Sequence, residues 1–182
     1  MSRLTVIAGP TAVGKGTVVQ YMLSHFDNVH LSVSATTRAP RPGEVDGRDY
    51  FFVTAEKFGA MIADGEMLEY AIVHGVHKYG TPKTPVIEAL ARGEHVILEI
   101  DIQGARQVKR VMPEALLVFI KPPSWEELVR RLDARGTESE TEQEARLKTA
   151  RTELDSASEF DAIVVNEDIA KCAHDVLDLI QA

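Results

Sequence analysis

Nine consecutive residues, Gly9, Pro10, Thr11, Ala12, Val13, Gly14, Lys15, Gly16 and Thr17, have the types and spacing to hold a polyphosphate. The glycines let successive backbone N–H groups turn toward one concavity, a helix start adds partial positive charge, and Lys15 supplies a full one. The stretch follows an apolar run, Leu4 to Ala8, and opens a helical pattern, the context that a phosphate-binding loop needs. A nucleoside triphosphate is the natural ligand. The usual pattern puts Ser or Thr straight after the lysine to hold magnesium, and here that place is Gly16. Thr17, one residue further on, is the candidate protein ligand, with the metal held largely through water and the substrate phosphates.

The elements that must position this loop alternate between strand and helix. Strands are expected at Leu4 to Ala8, His30 to Val33, His95 to Ile100, Ala115 to Ile120 and Ala162 to Val165. Helices are expected from Lys15 to Phe26, from about Gln103, from Trp125 to Ala134, from Glu142 to Ser158 and from about Asp168. That rhythm is α/β, a five-stranded parallel sheet flanked by helices. Between Ser34 and Thr84 it changes to short β-like pieces, Tyr50 to Val53, Met67 to His74 and His77 to Tyr79, around one helix at about Ala55 to Asp64. An inserted lobe is expected there. Pro40 and Pro42 keep the Arg38 to Glu44 stretch out of any helix, leaving a loop that carries Arg38 and Arg41. The polar run from Arg135 to Glu144 has no apolar anchor and reads as a mobile flap between helices.

Composition excludes several classes. The chain has 182 residues, 45% apolar and 26% charged, with a formal charge of −8, and is expected to be one soluble cytoplasmic domain. No apolar run approaches the length of a membrane span and no signal peptide precedes the loop, so no membrane partner is expected. The acidic balance argues against a nucleic-acid surface. Cys172 is the only cysteine, which rules out an intrachain disulfide or a cysteine metal cluster, and its apolar helical setting reads as core. Oligomeric state has no signature.

Four further blocks accompany the phosphate loop: Ser34-Ala35-Thr36-Thr37-Arg38-Ala39-Pro40-Arg41-Pro42-Gly43-Glu44, Asp46 to Phe52, His77 to Thr81, and Glu99 to Gly104. In this order they resemble the guanylate kinase family over essentially the whole chain. The resemblance implies a P-loop NTPase-type core (residues 1–33 and 82–182), a helical lid at about 135–145 and a GMP-binding lobe at 34–81. It also implies transfer of the ATP γ-phosphoryl group to GMP, and to dGMP as well, with magnesium. Scaffold modules of related sequence bind without turnover, so a binding module or nucleotide sensor is the alternative. Lys15 and the intact arginines argue for catalysis.

Carried over residue by residue, the resemblance implies that Arg38, Arg41, Tyr50 and Tyr79 hold the GMP phosphate. Arginine forks and phenol hydroxyls suit that dianion. Glu69 matches the carboxylate that accepts from guanine N1–H and N2–H₂, and Ser34, Thr81 and Asp101 match positions completing base recognition. Without the resemblance, Glu69 would be an exposed strand charge and Asp101 a strand-end cap or a water-mediated magnesium support. Lys15, Arg38, Arg131, Arg135 and Arg146 are the cations expected to neutralise the transferring group. Arg131 and Arg135, four residues apart, would share a helix face. Asn166 lies where the family contacts adenine, and a turn asparagine is the equal alternative. The histidines carry no metal-ligand spacing.

Overall fold

The computed structural model describes residues 2–73, 75–134 and 140–182. In chain order its elements are β1 (Leu4–Ala8), α1 (Lys15–His25), β2 (Val29–Leu31), β3 (Ala35–Thr36), β4 (Phe51–Phe52), α2 (Ala55–Ala63), β5 (Met67–Val73) and β6 (His77–Pro82). There follow α3 (Lys83–Ala91), β7 (His95–Glu99), α4 (Ile102–Val111), β8 (Leu116–Lys121), α5 (Trp125–Asp133), α6 (Glu140–Asp155), a 3-10 turn (Ser156–Glu159), β9 (Ala162–Val165) and α7 (Ile169–Gln181).

Five strands make one parallel sheet in the order β2, β7, β1, β8, β9. All five residues of β1 are buried, as a central parallel strand covered on both faces requires. Alternation assigns its side chains to two cores. Ile7 packs with Val18, Met22, Val118, Ile120 and Val176, whereas Val6 packs with Val86, Leu98, Ala105, Val108 and Leu117. The chain leaves β1 to one side toward β2 and β7 and later to the other toward β8 and β9, which opens a crevice at the carboxyl end of β1. The phosphate loop begins there.

A second, four-stranded sheet has the order β4, β3, β6, β5. Its small core joins Ala35, Met67 and Phe58 of α2. Gly80 is needed where α2 and β5 close on β6: a Cβ there would lie 2.7 Å from the Glu69 carbonyl oxygen and 3.1 Å from Phe58 Cζ.

The α/β reading and the five core strands agree with the structure; four elements depart from expectation. Helix α3 had no signal, because Pro85 falls in its third position and reads as a break, although a first turn tolerates proline. Strand β3 is only two residues long, too short for any periodicity. Strand β6 runs on through Gly80, Thr81 and Pro82, held by pairing with β5 against the poor strand propensity of Gly80 and Pro82. Helix α6 starts at Glu140 and gives way to the 3-10 turn after Asp155. Cys172 is buried in α7 as a core residue, and burial first, then Asp175, pushes its thiol up to about 11. Arg135 and His74 lie outside the described residues. Among the described residues no helix is long and apolar enough to cross a membrane.

Candidate active site

The phosphate loop is shaped by backbone that only a few residue types adopt. Gly14 has φ 98°, and a Cβ on it would lie 2.6 Å from the Asn166 amide nitrogen, so both conformation and space demand glycine. Gly14 is also the N-cap of α1 and brings no capping side chain. By contrast Thr54, Asp101, Ser124 and Asp168 cap α2, α4, α5 and α7. The first-turn N–H groups of α1 are therefore left for an anion. The Lys15 ammonium folds over the loop, donating to the carbonyls of Gly9 at 2.6 Å and Pro10 at 3.2 Å.

Two residues brace the loop from outside. The Val13 carbonyl accepts from Asn166 Nδ2 at 2.8 Å and from Arg131 Nη1 at 3.2 Å. Arg131 also donates to the Asn166 carbonyl at 3.0 Å and to Glu127 at 2.8 Å. Asn166 is only 3% exposed, and its amide nitrogen turns inward to Val13. The carbonyl of a strained loop needs a donor, and the Nδ2 of Asn166, at the end of β9, supplies it, while the Asn166 Oδ1 is buried without a hydrogen-bond partner among the described residues. Arg131 keeps N–H groups beyond these three bonds and stands beside the loop as a charge. Arg146 lies on α6.

Two carboxylates that the sequence reading left without a role face the same loop. Glu99 ends β7, and a Cβ on Gly16 would lie 3.5 Å from its Oε1, so the missing side chain at Gly16 leaves space that Glu99 borders. Glu153 comes from α6, and its Oε2 is buried without a hydrogen-bond partner. Desolvation raises both carboxyls above the usual range, Glu99 despite its exposed edge, and the Lys15 charge opposes the shift in both. At Glu153 the Thr11 amide also lowers the pKa and Asp101 raises it.

On the second sheet, Arg38 sits in a fork that is already filled. Its Nη1 and Nη2 donate to Glu44 at 2.9 and 2.8 Å, its Nε donates to the Tyr79 hydroxyl at 3.2 Å, and its Nη1 also donates to the Ala39 carbonyl at 2.7 Å. The guanidinium lies 5.4 Å from the Tyr50 ring centroid, and the Tyr50 and Tyr79 rings meet edge to face at 5.9 Å. Arg38, Tyr50 and Tyr79 are thus assembled as expected, but with Glu44 in the place where a phosphate was expected to bind Arg38. Arg41 is exposed, and its backbone N–H donates to Glu44 at 2.7 Å.

The Arg38 fork first, then the Arg41 N–H, hold the Glu44 carboxyl at about 2, far below its ordinary 4.5. Because the folded value lies below the unfolded one, the pair stabilises the fold above about pH 4.5 and loses that contribution as pH falls toward 2. Carboxyl NMR titration should place the Glu44 midpoint near 2. In Arg38→Ala the midpoint should return toward 4.5; a midpoint already at 4.5 in the parent protein would dismiss the fork.

Glu69, Thr81 and Asp101, expected from the resemblance to read the base, meet at the junction of the two sheets. Glu69 is 7% exposed on β5, and its Oε1 accepts from the Thr81 hydroxyl on β6 at 2.6 Å. Its Oε2 lies over α4 at Gly104, where a Cβ would come within 3.1 Å of it and within 3.3 Å of Asp101 Oδ1. Asp101 does cap α4, its Oδ1 accepting from the Gly104 N–H at 2.7 Å, and its charge also reaches Glu69. Burial raises the Glu69 pKa, the Thr81 hydroxyl opposes that, and Asp101 adds to it. Ser34 stands just before β3, its carbonyl accepting from Phe51 N–H at 2.9 Å. Asp101 influences both Glu69 and Glu153, and Lys15 influences Glu153, so the junction adjoins the phosphate loop.

A family model described as guanylate kinase matches residues 1–182. The chain belongs to the guanylate kinase family. It is 58% identical over 176 residues to the guanylate kinase of Leifsonia xyli subsp. xyli, covering 97% of this chain and 69% of that one. It is 55% identical over 178 residues to the guanylate kinase of Nocardia farcinica, covering 97% and 92%. The crystal structure of guanylate kinase from Anaplasma phagocytophilum superimposes with a TM-score of 0.74 at 34% identity, covering 99% and 85%.

Within this guanylate kinase fold the residues expected from the sequence fall into three clusters: Lys15 and Arg131 at the phosphate loop, Arg38, Tyr50 and Tyr79 on the second sheet, and Glu69, Thr81 and Asp101 at the junction. Glu44, Glu99 and Glu153 stand in these clusters without a sequence expectation of their own. Glu44 and Glu99 stood inside the quoted blocks, and an acidic side chain three to six residues from paired arginines was the signal available for the first. Glu153 had none, since only the fold brings α6 to the loop.

Proposed function

We infer that the chain is an ATP:GMP phosphotransferase, with residues 34–81 as the GMP-binding lobe and residues 1–33 and 82–182 as the core that holds ATP. The observation that carries this is a buried carboxylate, Glu69, fixed by Thr81 beside Asp101, next to an uncapped phosphate loop. The uncapped N–H groups of α1 receive the ATP phosphates, and Lys15, released from the Gly9 and Pro10 carbonyls, neutralises them. Arg131 is held rigid by three bonds, so its charge is preorganised toward the loop and costs little reorganisation. Phosphoryl transfer in line asks mainly for positioning and charge, and no general base is required of the protein.

Guanine presents N1–H and N2–H₂ donors, and an ionised Glu69 accepts both. Tyr50, Tyr79, Arg41 and Arg38 make up the phosphate subsite, where the GMP dianion shares Arg38 with Glu44 or takes its place. Magnesium accompanies ATP in this reading. Among the described residues no three His, Cys, Asp or Glu side chains gather as a metal site. The donor set nonetheless fits a hydrated ion held chiefly by phosphates: Thr17, Glu99 and the partnerless Oε2 of Glu153 would bind its waters. When bound, the ion supplies charge neutralisation on the phosphates.

The test is ADP formation from MgATP with GMP, dGMP, AMP, CMP and UMP offered separately. Turnover is expected with GMP and dGMP and at least about a hundredfold less with the others, since a buried carboxylate left facing an acceptor loses its hydrogen bonds. Equal turnover across bases would remove the guanine assignment. Tight nucleotide binding without ADP formation would make the chain a sensor or binding module.

A further inference from the structure

Among the described residues strand β5 is an edge strand, paired only with β6. At Tyr70 its outward backbone groups are met by a side chain from the other sheet's layer. The Tyr70 N–H donates to Gln107 Oε1 at 3.1 Å, and Gln107 Nε2 donates to the Tyr70 carbonyl at 3.0 Å. A primary amide carries one donor face and one acceptor face at the spacing of a peptide unit, so Gln107 acts as a one-residue strand. Gln107 belongs to α4, and Asp101, Gly104 and Gln107 recur every three residues, which puts them along one side of the helix. That side runs beside β5. Asp101 stands next to Glu69, Gly104 leaves room for Glu69 Oε2, and Gln107 grips the residue after Glu69.

We propose that Gln107 is a positioning residue for guanine discrimination. It pins the Tyr70 backbone to α4 and thereby fixes the distance between the Glu69 carboxylate on the lobe and Asp101 on the core. Glu69 and Asp101 come from different sheets' layers, so a base read by both needs the two layers held in register. Thr81 secures Glu69 only within the lobe. The missing Cβ at Gly104 allows close approach but does not enforce it. The paired bonds of Gln107 do, because they require both the N–H and the carbonyl of Tyr70 to face the helix at once. This rests on the reading of Glu69 and Asp101 as guanine-recognising groups.

The test compares Gln107→Ala, Gln107→Glu, Glu69→Ala and the Gln107→Ala/Glu69→Ala double variant. Steady-state rates are measured with GMP and with AMP, together with the KM for ATP and the thermal midpoint. Gln107→Ala is expected to raise the KM for GMP about tenfold and to lower the GMP:AMP preference by a similar factor, the effect of one lost hydrogen-bonded pair. kcat and the KM for ATP should stay within about twofold, because the phosphate loop is not touched. Gln107→Glu keeps the acceptor for Tyr70 N–H and sets an oxygen against the Tyr70 carbonyl, so it should lose preference at similar volume; it also carries the test if the alanine variant is poorly folded. In the Glu69→Ala background, Gln107→Ala should change the GMP:AMP preference little.

A lowered thermal midpoint with unchanged GMP:AMP preference would reduce Gln107 to an edge-strand cap and overturn the proposal. Full additivity of the two alanine variants would overturn it as well. If Glu69→Ala itself left the preference for GMP intact, the guanine reading would fall and this proposal with it, an outcome distinct from failure of the Gln107 variants alone.

Discussion

Lys15→Ala is expected to lower the rate of ADP formation by about a thousandfold or more while leaving GMP binding within a few-fold. The size follows from what surrounds the lysine. Glu99 and Glu153 both face the phosphate loop, burial raises the pKa of both, and in both the Lys15 charge is the main opposing influence. Asp101 adds a third negative neighbour at Glu153. Without Lys15 a polyphosphate would meet the helix N–H groups with carboxylates beside it and no ammonium between. Loss of the lysine thus removes an attraction and also uncovers a repulsion.

The GMP side should be spared, since Arg38 is held by Glu44 and Tyr79, Tyr50 packs on Tyr79, and Glu69 is held by Thr81. The measurements are single-turnover ADP formation and GMP affinity by calorimetry. Circular dichroism should accompany them, because Lys15 also satisfies the carbonyls of Gly9 and Pro10. Equal loss of turnover and of GMP affinity, with altered dichroism, would mean that the lysine holds the loop together rather than the phosphates.

The parts of this molecule legible in the sequence are those in which a physical constraint acts between neighbours along the chain. Leu4 to Ala8 reads as a buried strand because four of its five residues are apolar and the fifth, Thr5, is β-branched, and Gly14 marks a turn that side chains cannot make. Thr54, Ser124 and Asp168 stand where helices begin and do cap them. What the sequence hid depends on contacts between distant residues. Glu153 meets the loop across more than a hundred residues, so no local pattern marks it. Asn166 turns to Val13 because a strained loop left a carbonyl without a donor, a need that does not exist until the loop is folded. Arg38 offered a phosphate-binding fork, and only the folded Pro-rich loop sets Glu44 into it. Strand β6 continues through glycine and proline because β5 pairs with it. Residue types were therefore readable along the chain, while the partners those residues take in the fold were not.

Substituting Glu69 should nearly abolish the choice between guanine and adenine. Glu69→Gln is expected to reduce kcat/KM for GMP by about 10²- to 10³-fold and to leave GMP and AMP within about tenfold of one another. On the proposed reading an ionised Glu69 accepts twice from guanine, whereas the adenine N1 lone pair would face it with no hydrogen. Glutamine replaces one oxygen by a donor, which loses one guanine contact and gains a contact to adenine N1. Thr81 can still donate to the remaining oxygen, so the side chain keeps its place and the effect is one of chemistry rather than of folding.

A pH profile separates this from a general loss of fit. Burial holds the Glu69 pKa above its ordinary value of 4.5, and Asp101 raises it further against the pull of Thr81. In the free enzyme the carboxyl is thus protonated at a pH where most carboxylates are already charged, and a protonated Glu69 cannot accept from both guanine donors. GMP binds the charged form and lowers this pKa, so affinity for GMP should rise with pH through the raised value and then level off. The GMP phosphate titrates near pH 6 in parent and variant alike, so the decisive quantity is the difference between the two profiles. That difference should be an acid limb present in the parent and missing in Glu69→Gln. If the limb persists in the variant, it comes from the phosphate or another group, and Glu69 does not read the base through its charge.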